Sequence, residues 1–443
     1  MAGDGDRGYD GITIGVVGLG YVGLPTALAF HKAGFKVIGV DKSQRVVDSL
    51  LKGVSHLLDE SSDEFIPHDL DNWSVTNDFG ICVPNSDVIL ITVPTPVDEK
   101  NEPDLGYVES AARNVLENID WDKKTTIVLE STVFPGVTRR VFGEISKELG
   151  VPIGENVSIA YCPERVDPGV SSKSVSGVAQ IVGCDDPVTG EWLAGLFGKI
   201  TDEGSTYVGK MEVAEASKLI ENVQRDIDIA FVNELSVTLP RMGIDVEEVL
   251  AAAATKWNFH RHTPGIGVGG HCIPIDPYYY ISISENVGFQ SILSKAAREI
   301  NESMPKISVG QIKSIFQDGL SGKKVLILGY SYKPELGDTR ETPVKYLSEL
   351  LSSSECEVHI YDPLVKENLP EFVTHVTDLR KLEKVDLVIL ATGHSEFINL
   401  DWVRMKETCP TAKVFDGRRC LNQEELEGHG WKYFGIGLPI VEQ

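Results

Sequence analysis

Residues 12–41 have the sequence ITIGVVGLGYVGLPTALAFHKAGFKVIGVD, which predicts a strand, a turn, a helix and a second strand. Glycines occupy the turn in the spacing G-x-G-x-x-G, and Asp41 ends the second strand 18 residues after Gly23. Such a turn lets backbone amides approach a pyrophosphate at the helix N-terminus and lets the helix pack closely on the sheet. Asp41 would bind an adenosine ribose and repel a 2′-phosphate, so we predict NAD rather than NADP, although Lys42 follows it. We expect cofactor contacts from the turn residues Gly18, Gly20, Tyr21, Val22 and Gly23.

Length and composition limit the classes of protein to which this chain can belong. Its 443 residues suggest two or three domains, and a hydrophobic content of 42% supports a sizeable core. A formal net charge of -25 argues against nonspecific nucleic-acid binding, which depends on clustered lysine and arginine. No segment has the ~20 apolar residues of a membrane helix, and the N-terminus lacks the pattern of a signal peptide. We therefore expect a cytoplasmic protein.

Seven cysteines are scattered along the chain, and none forms a C-x-x-C pair. An odd, scattered set does not predict a disulfide framework or a zinc site, so we expect a reducing compartment and no metal. Most of these cysteines are expected to be small buried apolar residues: Cys82, Cys162, Cys184, Cys356, Cys409 and Cys420.

The pattern of strands and helices changes twice along the chain. Strands predicted at 86–93, 125–129 and 157–161 continue the first unit and indicate a doubly wound parallel sheet of the Rossmann type. Helical patterns follow at 211–241, 245–255 and 289–304, and Pro305 marks a boundary. Strands at 324–328, 358–361, 385–392 and 413–415 then repeat the first pattern, and Asp362 ends a strand as Asp41 does. We predict an NAD-binding domain at 1–207, a central all-helical domain at 208–305 and a second Rossmann-like domain at 306–443.

Two hydroxyl-bearing segments follow later strands of the first sheet. Thr95 lies in VPTP (93–96), and Thr132 lies in EST (130–132). Open α/β sheets bind ligands beyond the carboxyl ends of their strands, so both threonines are predicted to face the nicotinamide half of the cofactor. Ordinary loop hydroxyls are the alternative, more so for Thr95 than for Thr132.

A cysteine lies in the glycine-rich run GVGGHCIPID (267–276), four residues before Asp276. A thiol in a protein that also binds a hydride acceptor suggests oxidation of an aldehyde through a covalent thioester. A small buried apolar residue is the alternative interpretation of Cys272.

Charged and amide side chains elsewhere are ambiguous on spacing alone. Lys218 and Asn222 share a helix face, with Arg225 one turn further, so they form either a solvated stripe or the wall of a site. Glu164 and Arg165 follow a strand, where a charged pair is more often a surface feature.

Eight segments, in order along most of the chain, resemble the UDP-sugar (nucleotide-sugar) 6-dehydrogenases. The resemblance implies an NAD-dependent oxidoreductase with an NAD domain, a helical dimerisation domain and a C-terminal UDP-binding domain. The segments are GLGYVGLP (18–25), VPTP (93–96), ESTVFPG (130–136), YCPERVDPG (161–169), KLIENVQRDIDIAFVNEL (218–235), PGIGVGGHCIPIDPYY (264–279), GYSYKPELGDTRETP (329–343) and FDGR (415–418).

The resemblance also implies roles for individual residues. Cys272 matches the family nucleophile, and Lys218 with Asn222 matches the pair that stabilises oxyanions. Asp276 matches an aspartate that acts with a water in base catalysis. Glu164 and Thr132 match residues of thioester hydrolysis. The remaining matches are Gly269 in the nucleophile loop and the cationic residues Lys333, Arg340 and Arg418, of which we assign Arg340 to the cofactor and the others to the sugar nucleotide.

Three segments resemble the branch of the family that acts on UDP-N-acetylhexosamines. They are 164–169, 222–226 and 256–259. Arg165 and Arg225 could then line the 2-acetamido side of the sugar, and ion pairs with acidic residues are an equal alternative. The GlcNAc, GalNAc and ManNAc forms stay open at this point.

Other functions share parts of this pattern. A UDP-glucose 6-dehydrogenase is the nearest alternative, and a panel of UDP-sugars would distinguish it. A two-electron hydroxyacid dehydrogenase would not need Cys272, and an NAD-binding regulatory or scaffold protein would turn over no UDP-sugar. The resemblance also implies a homodimer or higher homo-oligomer, for which the apolar residues of the long central helix are available.

Overall fold

A computed structural model describes residues 8–57, 66–68, 71–98, 101–150, 152–154, 156–166, 174–366 and 369–439. The first seven residues, which are part of the N-terminus predicted to lack a signal peptide, lie outside these ranges, as do residues 167–169 of the YCPERVDPG segment. The chain separates into two compact units, Met1–Asn222 with Tyr278–Phe289 and Val223–Pro277 with Gln290–Gln443.

The described chain contains fourteen strands and fourteen α-helices. The strands are β1 Thr13–Val17, β2 Lys36–Val40, β3 Trp73–Thr76, β4 Val88–Ile91, β5 Thr125–Leu129, β6 Val157–Tyr161, β7 Gln180–Cys184, β8 Ser205–Gly209, β9 Lys324–Leu328, β10 Glu357–Tyr361, β11 Thr374–His375, β12 Leu387–Leu390, β13 Lys413–Asp416 and β14 Lys432–Gly435. The helices are α1 Gly23–Lys32, α2 Gln44–Leu51, α3 Phe79–Cys82, α4 Gly106–Asn118, α5 Val137–Leu149, α6 Pro187–Phe197, α7 Met211–Thr238, α8 Val246–Ala253, α9 Asp276–Asn286, α10 Ile292–Ser314, α11 Pro343–Ser353, α12 Ser395–Ile398, α13 Trp402–Thr408 and α14 Gln423–Gly428.

The first unit is built on a sheet with the strand order β3-β2-β1-β4-β5-β6-β7-β8. Every residue of β1, β4 and β5 is buried, as expected for parallel strands that carry helices on both faces. The order reverses between β1 and β4, which places the turn after β1 at the usual ligand-binding edge. The predicted Rossmann-like fold is confirmed, but β6 and β7 pair antiparallel, so this sheet is not wholly parallel. β8 pairs parallel with β7, so these two strands run opposite to the other six, a variation of the antiparallel edges that mixed sheets commonly carry.

The second unit repeats the same topology. Its sheet has the order β11-β10-β9-β12-β13-β14, and all its strand pairs are parallel. β9 and β12 stand at the reversal of strand order, as β1 and β4 do in the first sheet. The strands β9 and β12 are almost wholly buried, which explains their near-continuous aliphatic sequences.

The helical region between the sheets follows the sequence prediction in outline. α7 is a helix of 28 residues, close to the predicted 211–241. Pro305 does not end a helix, because it lies inside α10, which continues to Ser314. The proline only removes one backbone donor from α10, and its burial in the core keeps the helix intact beyond it. The proposed domain boundary at 305/306 remains a prediction.

Within the described ranges, every helix is either too short or too polar to cross a membrane. The same residues contain no group of three or more histidine, cysteine or acidic side chains placed to hold a metal ion.

Candidate active site

The turn after β1 has the shape that a dinucleotide site requires. Gly18 has a φ of +90°, and a Cβ added to it would lie 3.1 Å from the carbonyl oxygen of Thr92. A Cβ on Gly23 would lie 1.8 Å from the carbonyl oxygen of Gly18, so no other residue fits there. A Cβ on Gly20 would meet no atom of the described chain within 4 Å. The turn therefore closes tightly on itself and leaves the Gly20 side open to a ligand, directly before the N-terminus of α1, which no side chain caps.

Asp41 stands beside this turn as predicted. Its carboxylate accepts hydrogen bonds from the backbone N–H of Leu19 (2.9 Å) and of Ser43 (2.8 Å), and the residue is partly exposed. Lys42 is directed to Ser110, whose hydroxyl accepts a hydrogen bond of 2.7 Å from its ammonium group. The lysine that raised doubt about NAD therefore has a hydroxyl partner outside the turn.

His56 is a neighbour of Asp41 that the sequence did not reveal. Burial lowers its pKa, whereas the charge of Asp41 and the backbone of Leu19 act in the opposite direction. Its position depends on the path of the chain after α2, and no motif marks it.

The loops after β4 and β5 lie side by side. The hydroxyl of Ser131 donates to the carbonyl oxygen of Val93 (2.6 Å), which joins the EST segment to the VPTP segment. Tyr279 donates to the carbonyl oxygens of Thr95 (3.1 Å) and Pro96 (3.2 Å). Thr95 and Thr132 are both partly exposed at this edge of the sheet. Their contacts with a nicotinamide remain predictions.

Lys218 is brought to the loop that carries Glu164. The lysine is 7% exposed, and its ammonium group donates to the carbonyl oxygen of Glu164. One oxygen of the Glu164 carboxylate accepts a hydrogen bond from the N–H of Val166. Asn222 is partly exposed one turn along α7. Glu164, Lys218 and Asn222 thus belong to one unit, and the first two are in contact.

Arg165 forms an ion pair. Its guanidinium group binds both carboxylate oxygens of Glu221 and also donates to the carbonyl oxygen of Ala179 (3.0 Å). The ion pair was one of the two alternatives for this residue, and its contact with a sugar remains a prediction. Arg225 is exposed on α7.

Glu130 is a buried carboxyl group that sequence reasoning passed over. It is 3% exposed, and its Oε1 makes no hydrogen bond within the described chain. Burial, and then the charge of Glu164, raise its pKa well above the ordinary value. Both carboxyl groups line one small cavity together with Gln180. Glu130 opens the EST segment, but its burial follows from the packing around β5 and is invisible in the motif.

The second unit holds Cys272 in a loop that glycines allow to pack closely. A Cβ on Gly269 would lie 2.6 Å from the Cβ of Tyr332, and one on Gly270 would lie 2.8 Å from the ring of Tyr332. The N–H of Gly270 donates to the carbonyl oxygen of Arg340 (3.1 Å). The carbonyl oxygen of Cys272 accepts from the N–H of Asp276 (2.8 Å), which starts α9 and is 2% exposed. Cys272 itself is partly exposed.

The predicted cationic residues lie on segments of the same unit, and one of them contacts this loop directly. Gly265 approaches Arg418 so closely that a Cβ would lie 3.0 Å from its guanidinium nitrogen Nη1. Arg418 also donates to the carbonyl oxygen of Ala391 (2.8 Å), and burial lowers its pKa. Arg340 is exposed and pairs with Asp338, and Lys333 is partly exposed. The structure therefore joins the cysteine loop to the segments that carry the predicted diphosphate-binding cations.

The other cysteines differ from Cys272. Burial raises the pKa of Cys82 to about 12 and of Cys184 and Cys356 to about 11, and it also raises the pKa of Cys162 and Cys409. These five are buried as expected, and such thiols are poor nucleophiles. Cys420 is exposed, so its predicted burial is wrong. It follows Arg419, which has a left-handed φ of +51° in the turn after β13.

Comparisons with known proteins agree with these features. Residues 12–201, 212–303 and 326–423 match the NAD binding, central and UDP binding domains of the UDP-glucose/GDP-mannose dehydrogenase family. The chain is 34% identical to the UDP-N-acetyl-D-glucosamine 6-dehydrogenase of Pseudomonas aeruginosa over 88% of this chain and 92% of that protein.

Two solved structures extend the comparison to the fold. The UDP-D-ManNAc dehydrogenase of Pyrococcus horikoshii matches with a TM-score of 0.85 at 31% identity, over 96% of this chain and 99% of the other. The UDP-glucose dehydrogenase of the archaeon Pyrobaculum islandicum matches with a TM-score of 0.86 at 30% identity, over 98% and 99%.

The fold and the site define an NAD-dependent oxidoreductase that acts on UDP-sugars. The chain belongs to the UDP-glucose/GDP-mannose dehydrogenase family. The resemblance seen in the sequence is thereby confirmed, and NAD is the cofactor. The turn around Gly20 and the carboxylate of Asp41 fit this cofactor, because one offers open backbone amides and the other a ribose acceptor.

Proposed function

We propose that this protein oxidises the C6 hydroxymethyl group of a UDP-N-acetylhexosamine to the uronate, with Cys272 as the covalent carrier. The observation that supports the proposal most is the packing of the cysteine loop. Gly265 lies against Arg418, and Gly270 binds the backbone of Arg340. A UDP-sugar bound by Arg418 would present its sugar to the segment that bears the thiol.

The choice of an N-acetylated sugar comes from the relatives. The Pseudomonas aeruginosa and Pyrococcus horikoshii proteins carry names that specify UDP-N-acetylglucosamine and UDP-N-acetylmannosamine. Because the chain is 34% and 32% identical to these two proteins, sequence identity does not choose among the acetamido sugars. An assay with each UDP-sugar makes that choice.

The chemistry requires four electrons to leave C6. NAD⁺, when bound, accepts a hydride from C6 in each of the two oxidations. In the first, Asp276 or a water that it orients takes the proton of the hydroxyl group, which yields the aldehyde. The Cys272 sulfur then forms a bond to the aldehyde carbon while the carbonyl π bond breaks, and the thiol proton ends on the oxygen, which gives a thiohemiacetal. The second oxidation removes a hydride from C6 and a proton from this hydroxyl group, which leaves a thioester.

Lys218 and Asn222 would stabilise the oxyanion that develops in these steps. The bond from Lys218 to the Glu164 carbonyl is compatible with this role, because an ammonium group has three donors. Water then attacks the thioester carbon, Glu164 accepts a proton from it, and the C–S bond breaks. Thr132 and Asp276 would help to position this water. The products are the uronate and the Cys272 thiol.

A panel of UDP-sugars tests the proposal. UDP-GlcNAc, UDP-GalNAc, UDP-ManNAc and UDP-glucose would each be incubated with the protein and NAD⁺, and NADH would be counted per product formed. We expect two NADH per uronate with at least one acetamido sugar and a lower kcat/KM with UDP-glucose. Preference for UDP-glucose would overturn the sugar assignment, one NADH per product would overturn the four-electron reaction, and no turnover would favour a scaffold.

We further propose a cytoplasmic homodimer or higher homo-oligomer that supplies uronate precursors for glycans. A reducing compartment would keep the Cys272 thiol available. Phe231 on α7 is 52% exposed and Ile220 is 49% exposed, which is the kind of apolar surface that a second copy can cover. Size-exclusion chromatography with light scattering should show a multiple of the chain mass, and a monomer alone would contradict the assembly.

A further inference from the structure

A fully buried polar chain connects α7 and α10 with the start of the cysteine loop. Asp226 and Asn233 lie on α7, and Arg298 and Asn301 lie on α10. Their exposed fractions are 0%, 0%, 4% and 1%. None of these side chains has a role in the proposed oxidation.

The hydrogen bonds of this polar chain all run from donor to acceptor toward Asp226. Arg298 and Asn301 donate to the same carboxylate oxygen of Asp226, at 2.8 Å and 2.7 Å. Asn233 donates through Nδ2 to Oδ1 of Asn301 (2.8 Å). The N–H of Gly265 then donates to Oδ1 of Asn233 (3.0 Å).

Each amide has its orientation set by the group before it. The backbone carbonyl oxygen of Asp226 can only accept, and Asn301 donates to it (3.0 Å) as well as to the carboxylate, so the NH₂ group of Asn301 must face Asp226 and its oxygen must face Asn233. The NH₂ group of Asn233 is thereby turned to Asn301, and its oxygen is left for Gly265. Reversing either amide would set two donors or two acceptors against each other.

Gly265 is the residue of the Cys272 loop that binds the oriented amide of Asn233. The residue is buried, and a Cβ on it would lie only 3.0 Å from the guanidinium group of Arg418. Glycine loses more conformational freedom on folding than any other residue, and the loop contains four glycines between 265 and 270. A loop of this composition is held by fixed contacts, and the bond to Asn233 supplies one at its start.

Stability alone is a weak reason for such a chain. Buried ion pairs often contribute no more than well-packed apolar residues of similar volume, because both charges lose their hydration. A specific geometry at Gly265 is what apolar replacements could not supply.

We propose that Asn233 is a positioning residue for the Cys272 loop, acting through the Gly265 N–H, and that Asp226, Arg298 and Asn301 fix the orientation of its amide. The catalytic consequence rests on the proposed function of Cys272. The geometric claim concerns only the loop.

The test compares Asn233→Leu and Asn301→Leu with Ser308→Ala in the full-length protein. Ser308 is a matched control, because it is 0% exposed on α10 and its hydroxyl donates to the carbonyl oxygen of Met304 (2.7 Å), within its own helix. Hydrogen exchange by mass spectrometry would follow residues 264–272. Alkylation of the peptide that holds Cys272 would be measured apart from exposed Cys420.

We expect Asn233→Leu to speed exchange at 264–272 by about tenfold, which is the effect of losing one buried hydrogen bond. Alkylation of Cys272 should change rate, and kcat should fall by a similar factor while the NAD⁺ Kd stays constant. Asn301→Leu should affect the loop less, although it removes more hydrogen bonds, because Asn233 itself remains. Ser308→Ala should leave the loop unchanged. Asn233→Ser, which is too short to reach Gly265, replaces the leucine variant if that variant does not fold.

Unchanged exchange at 264–272 in a folded Asn233 variant would overturn the proposal. Equal increases over the whole protein, in proportion to lost stability in all three variants, would overturn it too. Hydrogen exchange and the alkylation of Cys272 do not depend on turnover. A wild-type protein that oxidises no UDP-sugar would therefore overturn the proposed function without affecting the geometric claim.

Discussion

Gly18 and Gly329 directly follow β1 and β9 and have the same conformation, with φ angles of +90° and +91°. Each donates its N–H to the last residue of the next strand, at 2.8 Å in both cases. A threonine at the end of the neighbouring strand packs on each glycine, Thr92 in the first sheet and Thr392 in the second. Up to this residue the two turns are built alike.

The turns differ in what comes next. In the first sheet, α1 begins at Gly23, so a helix N-terminus directly follows the turn. In the second, α11 begins only at Pro343, and the intervening segment carries Lys333 and Arg340. One turn is therefore arranged to present backbone amides, and the other to present cationic side chains.

The carboxylates that follow β2 and β10 differ in their exposure and in the number of hydrogen bonds that they accept. Asp41 is partly exposed and accepts two backbone hydrogen bonds. Asp362 is 4% exposed and accepts from four backbone N–H groups, while His394 contacts it at 3.3 Å. Strand order and glycine geometry thus do not make a dinucleotide site by themselves. A helix N-terminus and an accessible carboxylate must accompany them.

The largest effect on this comparison is expected from Gly23→Ala. Its Cβ would overlap the backbone of Gly18, so the turn must open, and NAD⁺ affinity should fall at least about 100-fold. Gly20→Ala is the matched variant, because its Cβ meets no atom of the described chain. It should fold as the wild type does and still weaken NAD⁺ binding, as measured by calorimetry. Normal NAD⁺ affinity in both variants would contradict a cofactor site at this turn.

Asp362→Asn should cost about 2 kcal/mol of stability at neutral pH. Burial alone would raise the pKa of Asp362, but the hydrogen bond and charge of His394, with the N–H groups of Ser331 and Tyr330, lower it to about 2. A carboxyl group whose pKa is lower in the folded protein than in the unfolded chain stabilises the fold at pH values above its unfolded pKa. This stabilisation is lost as the pH falls toward the folded pKa. Denaturant unfolding should therefore separate variant and wild type at pH 7 and bring them closer near pH 3. An equal gap at both pH values would contradict this cause.

Asp41→Asn should leave stability within about 0.5 kcal/mol of the wild type, because its carboxylate is partly exposed. Its effect should fall on the cofactor, with the preference for NAD⁺ over NADP⁺ reduced about tenfold in kcat/KM. If Asp41→Asn destabilised the protein as much as Asp362→Asn, the two carboxylates would have the same structural task.

Glu130 extends the comparison to a buried carboxyl group whose Oε1 receives no hydrogen bond from the described residues. Its pKa is raised, so on raising the pH above the ordinary value the unfolded chain releases a proton that the folded protein keeps. Stability should therefore fall as the pH rises, and Glu130→Gln should make thermal unfolding midpoints at pH 5 and pH 8 more alike. Exposed Glu144→Gln is the control and should not change the difference between the two pH values.

The sequence predicts well those parts of the molecule whose structure is determined by residues close together along the chain. β5, β6 and β9 begin and end at the predicted residues, because short aliphatic runs bounded by polar residues define buried strands. The turn before α1 was equally readable, since its glycines and Asp41 lie within one β-α-β unit.

The parts that sequence missed depend on contacts between distant segments. The amide of Asn233 is 68 residues from Asn301, and Glu130 acquires its raised pKa from packing and from Glu164. Pro305 continues α10 because tertiary burial outweighs one lost backbone bond. Local patterns contain no signal for such effects.

The central claim concerns the thiol, and the two accessible cysteines allow a direct test. Cys272→Ser and Cys420→Ser would each be assayed under single-turnover conditions with excess NAD⁺ and the preferred UDP-sugar, counting NADH and uronate. The account predicts two NADH per sugar at the wild-type rate for Cys420→Ser, and no uronate at a comparable rate for Cys272→Ser. Uronate formation by Cys272→Ser at the wild-type rate would contradict the covalent scheme.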